Sequence, residues 1–188
     1  MICGSRNSFT SFGGTVVGKN HRVTGAMASV SGGQQNWATG DHSSVSGGRW
    51  NTASGYESSV SGGVGNTADA HATSISGGRF NYATQHHASV SGGYRNIASG
   101  AFSSVTGGYA GEAYGYHSSV SGGRTNTAQA AYSSVSGGAS NTASGGSSSV
   151  AGGRMNTAAG SRSAISGGNE RSVAGYHDWA AGALFEED

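Results

Sequence analysis

The sequence has no proline, one cysteine and one lysine, and only 10% of its residues are charged. Each shortage excludes something. A linker of this glycine content would be expected to tolerate proline, whereas continuous backbone hydrogen bonding does not. With Cys3 alone, no disulfide can form within the chain and no zinc site can be built on cysteines. No apolar run approaches the roughly 20 residues of a membrane-spanning helix, so no direct membrane insertion is expected. Met1-Ile2-Cys3 is too short for the apolar core of a signal peptide, so the expectation is a start inside a larger precursor or another route of export. The ten Lys and Arg are scattered along the chain without a basic run, and the net charge is +1, so nucleic acid is not an expected partner. Hydrophobic residues, at 34%, are few for a globular core.

What is abundant is glycine, 36 residues of it, and it is periodic. Val30, Val45, Val60, Ile75, Val90, Val105, Val120, Val135, Val150 and Ile165 stand 15 residues apart, and each is followed two residues later by Gly-Gly. A second column holds Asn36, Asn51, Asn66, Asn81, Asn96, Asn126, Asn141 and Asn156, and a third runs Ala38, Ala53, Ala68 and on to Ala158. Thr15 to Gly25 fits the same frame, with Val17 in a Gly position and His21 in the Asn position. A period this short suits one turn of a β-coil rather than a helix pair. The reading is an all-β, parallel β-solenoid of about eleven 15-residue turns. Residues 1–14 form an N-terminal cap, 15–175 the repeats, and 176–188 a C-terminal cap or the lead-in to a stalk.

Alternation sorts the sides of each turn. Ser43, Val45 and Gly47 share one side of a strand, with Ser44 and Ser46 opposite; Asn51, Ala53 and Gly55 share one side of the next, with Thr52 and Ser54 opposite. Val and Ala therefore face in together, and the glycines mark corners where φ is positive or the chain approaches itself closely. Stacking at about 4.8 Å per turn gives a rod of roughly 50 Å. Its core is thin, so a ladder of Asn amides, donating to and accepting from the rungs above and below, is expected to hold the stack. A thin rod with flat Ser and Thr faces also favours bundling with its own copies. Trp179, Leu184 and Phe185 at one end, and Phe9 and Phe12 at the other, are expected to cap the stack, with Glu186-Glu187-Asp188 as an acidic tail.

The repeat V-S-G-G-x-x-N-T-A-x-G-x-x-S-S resembles the head repeat of trimeric autotransporter adhesins, the YadA-like heads, over roughly Thr15 to Gly175. Those units have the form S-x-A-x-G-x-x-A-x-A-x-G and a length of about 14 residues; the doubled Gly adds one residue here. The resemblance implies a left-handed parallel β-roll, a homotrimer, and display at a bacterial surface for adhesion to a host glycan or matrix protein. No neck, heptad stalk or membrane anchor is legible in these 188 residues. The expected function is an extracellular adhesive or structural fibre module at a cell surface or on a virion fibre, with no cofactor. A phage or secreted fibre spacer is one alternative. A second resemblance, to plant-type ice-binding rolls with N-x-V-x-G repeats, is another. Its flat Thr array is broken here, because the position after Asn reads Trp37, Thr52, Thr67, Tyr82, Ile97, Glu112, Thr127, Thr142 and Thr157.

Variable residues gather at the two corners of each turn, where solenoids carry function. The first corner holds Arg49, Trp50, Arg79, Phe80, Tyr94, Arg95, Tyr109 and Arg124; the second holds Tyr56, Phe102, Tyr116 and Tyr132. Aromatics and Arg dominate binding interfaces, so these are candidates for partner or subunit contact. Six of the seven His also fall in the second corner: His42, His71, His86, His87, His117 and His177. His71 and His86 occupy one column on adjacent turns and are weak candidates for a shared metal; a solvated polar corner is the simpler reading. At Gly111-Glu112 the Asn-Thr pair is missing, and Tyr109, Tyr114 and Tyr116 crowd the turn as a possible groove. Catalysis is not expected. Ser recurs as a ladder with no unique base beside it, and no Gly pair is followed by Lys-Ser or Lys-Thr.

Overall fold

The computed structural model describes residues 1–182. Among these, every regular element is a β-strand, most of them two residues long. They form two parallel sheets, of 13 and 12 strands, in which each strand pairs with the strand two places on in the chain. The result is a β-solenoid of about twelve turns. One sheet stacks the Ser-Val pairs, such as Ser44–Val45 on Ser59–Val60; the other stacks the Thr-Ala pairs, such as Thr52–Ala53 on Thr67–Ala68. Single bridges at the first corner, from Lys19–Gln34 to Arg154–Asn169, make a third ladder.

Pairing continues around the corners. In one turn the N–H groups of Ser44, Ser46, Arg49, Thr52 and Ser54 donate to the next turn, while those of Trp50 and Glu57 donate back to the previous one. A proline at any of these positions would delete a rung-to-rung bond, which accounts for its absence. Val45 and Ala53 are buried, as are Ser43, Asn51 and Gly55 beside them, and Ser46 is exposed. The alternation expected from the period is therefore present from Ser43 to Ser46 and from Asn51 to Gly55, but Gly47, expected inward with Val45, has open space where a Cβ would be.

The glycines divide by role. Gly48 has φ +80°, and a Cβ there would meet the carbonyl oxygen of Gly63. Gly55 lies outside the left-handed region; its constraint is contact with the Ala70 carbonyl on the next turn. Gly47 has nothing near its missing Cβ. The corners take their left-handed residues from elsewhere, at Trp50 (φ 58°) and Glu57 (φ 55°) and their equivalents in almost every turn. Each such non-glycine residue costs about 1–2 kcal/mol, which the rung-to-rung bonds on either side must offset.

The Asn column works differently from a ladder of stacked amides. Asn51 Nδ2 donates to the carbonyls of Gly47, in its own turn, and Gly63, in the next, at 3.0 Å each. Its Oδ1 accepts the backbone N–H of Asn66 at 3.0 Å. Each Asn thus satisfies three backbone groups at the glycine corner, and no amide bonds another amide. Burial leaves those groups no water, so the side chain is structural.

The ends depart from the expected frame. Val16, not Thr15, pairs with Val30, whereas Lys19 bridges Gln34. One residue is missing between Val16 and Gly18, so Val17 alone spans the places of Ser31 and Gly32. Two strands precede Thr15: Ile2–Ser5 pairs with Val16–Lys19 and Ser8–Phe9 with Arg22–Val23, both at 14-residue spacing. Phe9 packs on the core at the head of the Ala column, and Phe12 is 83% exposed and caps nothing. At the other end Ala180 continues the Val column, while Trp179 points outward, 67% exposed, with its indole N–H donating to Ser166 Oγ. Leu184, Phe185 and the acidic tail lie outside the described residues.

His21 stands in the Asn position, as expected, with Nδ1 accepting the Asn36 N–H at 3.0 Å. That bond places the proton on Nε2, which is buried and has no hydrogen-bond partner. Burial outweighs the opposing influence of the Asn36, Gly33 and Val17 backbone and holds the imidazole pKa below its ordinary 6.5. Below pH 6.5 the unfolded chain therefore takes up a proton that the folded chain resists. Stability falls from that pH down to the lower folded pKa. His21→Asn should remove this acid sensitivity, seen as a smaller loss of melting temperature between pH 7.5 and 5 than in the parent. A parent whose drop over that range is unchanged by the substitution would contradict the account.

Gly111 interrupts the same ladder. Its N–H still donates to Asn96 Oδ1 at 2.8 Å, but no side chain is there to serve the next turn. Its φ is ordinary, and a Cβ would lie 3.2 Å from Asn96 Oδ1 and Val120 Cγ1. Gly111→Asn should supply the missing bonds to Gly107, Gly123 and Asn126 and stabilise by about 2 kcal/mol, measurable by denaturant titration. An unchanged midpoint would show that the ladder is not what holds these corners.

Candidate functional site: two side-chain edges

Because each turn repeats the last, a residue at a corner stands directly over its equivalents, and side chains far apart in sequence become neighbours. At the first edge the bridge ladder carries Lys19, Arg49, Arg79, Tyr94, Tyr109, Arg124 and Arg154. The left-handed residue that follows each rung carries Trp50, Phe80 and Arg95. The side chains interlock: Arg49 lies 5.2 Å from the Trp50 ring centre, Arg79 4.9 Å from Phe80, Arg95 5.2 Å from Tyr94 and Arg124 5.8 Å from Tyr109. Tyr94 and Tyr109 stack at 5.4 Å, and Phe80 meets Tyr94 edge-on at 6.0 Å. All eight residues expected at this corner are on it.

This edge corrects the reading of the basic residues as scattered. Arg6, Lys19, Arg49, Arg79, Arg95, Arg124 and Arg154 all stand on it, seven of the ten Lys and Arg in the chain. They are dispersed in the sequence only because consecutive members are about one or two turns apart.

Two recesses open between this edge and the neighbouring Thr column. One, of about 380 Å³, is lined by Asn20, Gln35, Trp37, Trp50 and Thr52. The other, of about 440 Å³, is lined by Phe80, Tyr82, Arg95, Ile97, Ala110 and Glu112. Both lie within the size range of small-ligand clefts. The Trp50 indole N–H donates to Gln35 Oε1 at 2.9 Å, which fixes the ring against the first recess. Between the two, the Phe80 ring lies over Gly65, where any Cβ would collide with it. Asn20, Gln35, Trp37 and Tyr82 were not among the sequence candidates. The available signal was local: the residues on both sides of each buried Asn point outward, so a large side chain before one Asn and after another must flank a common recess.

At the second edge Tyr56, Phe102, Tyr116 and Tyr132 join the histidines in one run of rings. Tyr56 stacks on His71 at 5.4 Å, His87 on Phe102 at 4.9 Å, Phe102 on His117 at 4.8 Å and His117 on Tyr132 at 5.5 Å. Tyr116 instead meets Phe102, His117 and Tyr132 edge-on, at interplanar angles of 80°, 90° and 85°. His71 and His86 are adjacent, with centres 5.7 Å apart, and Glu57 approaches His71 Nε2 at 3.9 Å. Among the described residues, no group of three or more His, Cys, Asp or Glu converges in a metal-binding arrangement.

The three tyrosines expected to crowd the Gly111 turn do not meet. Tyr109 is on the first edge, Tyr116 on the second, and Tyr114 stands on the sheet face beside Glu112. Burial, with the Glu112 carboxylate next to it, holds the Tyr114 hydroxyl pKa above its ordinary 10. The recess at this turn is walled by Phe80, Tyr82 and Arg95 instead.

The chain matches no protein-family model and no curated protein.

Trp50 and Tyr132 are 49% and 59% exposed and contribute nothing to the Val-Ala core. Trp50→Ala and Tyr132→Ala should each leave stability within about 1 kcal/mol of the parent and preserve the far-ultraviolet circular dichroism. A cooperative loss of structure in either would place that edge in the folding unit.

Proposed function

We propose that this solenoid is an extracellular adhesive fibre module, a homotrimer of parallel rolls of the kind its repeat resembles in trimeric autotransporter adhesin heads. The observation that carries the reading is the distribution of variability. Core columns and the Ser sheet face repeat with small residues, and large exposed aromatic and charged side chains concentrate at two edges of a stiff rod and on the Thr face beside the first. Such a rod holds the same short-range contacts at many heights, and three copies multiply them, so weak individual contacts sum to firm attachment.

Charge orients the rods within the bundle. The first edge carries seven cations, and bringing three such edges together would oppose like charges. The face of Ser29, Ser44, Ser59 and their successors to Ser149 is flat and uncharged, and the second edge supplies aromatic area. The Ser face and second edge therefore pack between copies, and the first edge meets the outside. This places attachment, at a cell or fibre surface, on the Arg-aromatic edge.

Light scattering on the intact chain should return three times the 18.5 kDa chain mass. Tyr132→Ala should lower that mass on dilution, and Trp50→Ala should not. A parent that scatters as a monomer at all concentrations would overturn the trimer.

A further inference from the structure

We infer that the first edge is a docking track for a linear acidic polysaccharide lying along the rod axis. The inference deepens the adhesive reading and rests on the first edge being exposed. Its main support is spacing. Lys19, Arg49 and Arg79 occupy alternate rungs, as do Arg124 and Arg154, with Arg95 between the two sets. Alternate rungs are about 10 Å apart, which suits a polymer bearing one acidic group per disaccharide. A nucleic-acid strand carries a phosphate about every 3.4 Å, and most of its charges would find no partner here.

Electrostatic segregation supports the same reading. Asp41 and Glu57 lie at the opposite corner, and Asp69 hydrogen-bonds Ser54 near it. Among the described residues, only Glu112, in the second recess, and Glu170, near the C-terminal end, are acidic beside the cation track. Neither breaks the run from Lys19 to Arg79.

Between the cations the edge offers what sugar rings require. Trp37 and Trp50 flank the first recess, and aromatic faces attract the weakly positive C–H faces of a pyranose. Asn20 and Thr52 present an amide and a hydroxyl to the same space. Gln35, whose Oε1 is taken by Trp50, keeps its N–H₂ free to donate. Arg49 lies over the Trp50 ring and, with the indole bond to Gln35, holds it in place, so a bound chain meets an ordered wall. The track thus alternates charge recognition with ring stacking along one line, and an extended chain of repeating units would satisfy both in register.

The test is titration of the intact chain with hyaluronan decasaccharide, which carries one carboxylate per disaccharide, followed by calorimetry and by tryptophan fluorescence. Two of the three tryptophans line the recess, so binding should change the emission saturably. Affinity should fall about tenfold between 50 and 200 mM salt, as expected when a few ion pairs form. The paired substitution Arg49→Gln with Arg79→Gln should weaken binding at least tenfold, as should Trp50→Ala, with circular dichroism unchanged. Arg162→Gln, at the other corner, should leave it unaltered. The inference is overturned if hyaluronan is not bound, if dextran binds as tightly and without salt dependence, if oligo-dT binds in its place, or if Arg162→Gln weakens binding as much as the paired substitution. The two readings fail separately. Attachment to a protein-coated surface without hyaluronan binding would remove the polysaccharide and keep the adhesin. Hyaluronan binding by a monomer would do the reverse for the trimer.

Discussion

The structure depends on one constraint: every turn must place its backbone donors and acceptors opposite those of the turns above and below. With a Val and an Ala as the only regular apolar contributions per turn, burial of side chains does little to enforce that register. The enforcing element is the Asn. By satisfying two glycine carbonyls and the N–H of the next Asn, it fixes the relative height of successive corners at the place where strand pairing is interrupted. A slip of one residue would break all three bonds in each turn and turn Val outward as well.

Register makes every other property additive along the rod. The glycine at the second corner recurs in most turns, because its neighbour is its own equivalent, and Ala70 and Ala130 stand among its replacements. A left-handed residue recurs too, and its cost is repeated. Recurrence also amplifies what the corners carry. One Arg next to one Trp is an ordinary surface pair, worth little. The same pairing repeated over several rungs becomes an edge with a field, a periodicity and a direction.

Much of this was legible in the sequence because the period has few interruptions. The inward Val and Ala columns, the parallel stacking, the buried Asn and the two variable corners follow from counting by 15. The departures share a cause: they arise where the column and the linear order diverge. Arg49 and Arg79 are remote in the chain and two rungs apart in space, so a search for basic runs misses their alignment. Tyr109, Tyr114 and Tyr116 are close in the chain and on three different sides of the turn. Trp179 is apolar and terminal, which suggests a cap, yet its position in the strand is the outward one. The one-residue deletion beside Val17 keeps the glycine and Asn columns in phase and shifts only the Val column, so the frame looks intact until the pairing is seen.

The two edges also differ in how their rings are used, and this bears on what each can do. At the second edge His87, Phe102, His117 and Tyr132 stack face to face along the rod while Tyr116 meets its neighbours edge-on, so most ring faces there are already occupied by other rings. That geometry suits close lateral packing against another surface, in which tips interdigitate. At the first edge Trp37 and Trp50 stand on different columns and wall a recess, and the cations alternate with them. An extended ligand can lie in that recess without disturbing the stack, because the lining residues make their rung-to-rung backbone bonds beneath the side chains that wall it. Backbone pairing and the large exposed side chains thus fall on separate columns of the same 15 residues, so the edges vary widely from turn to turn while the Asn, Gly and Val columns admit few replacements, such as His21, Gly111, Ala70 and Ile75.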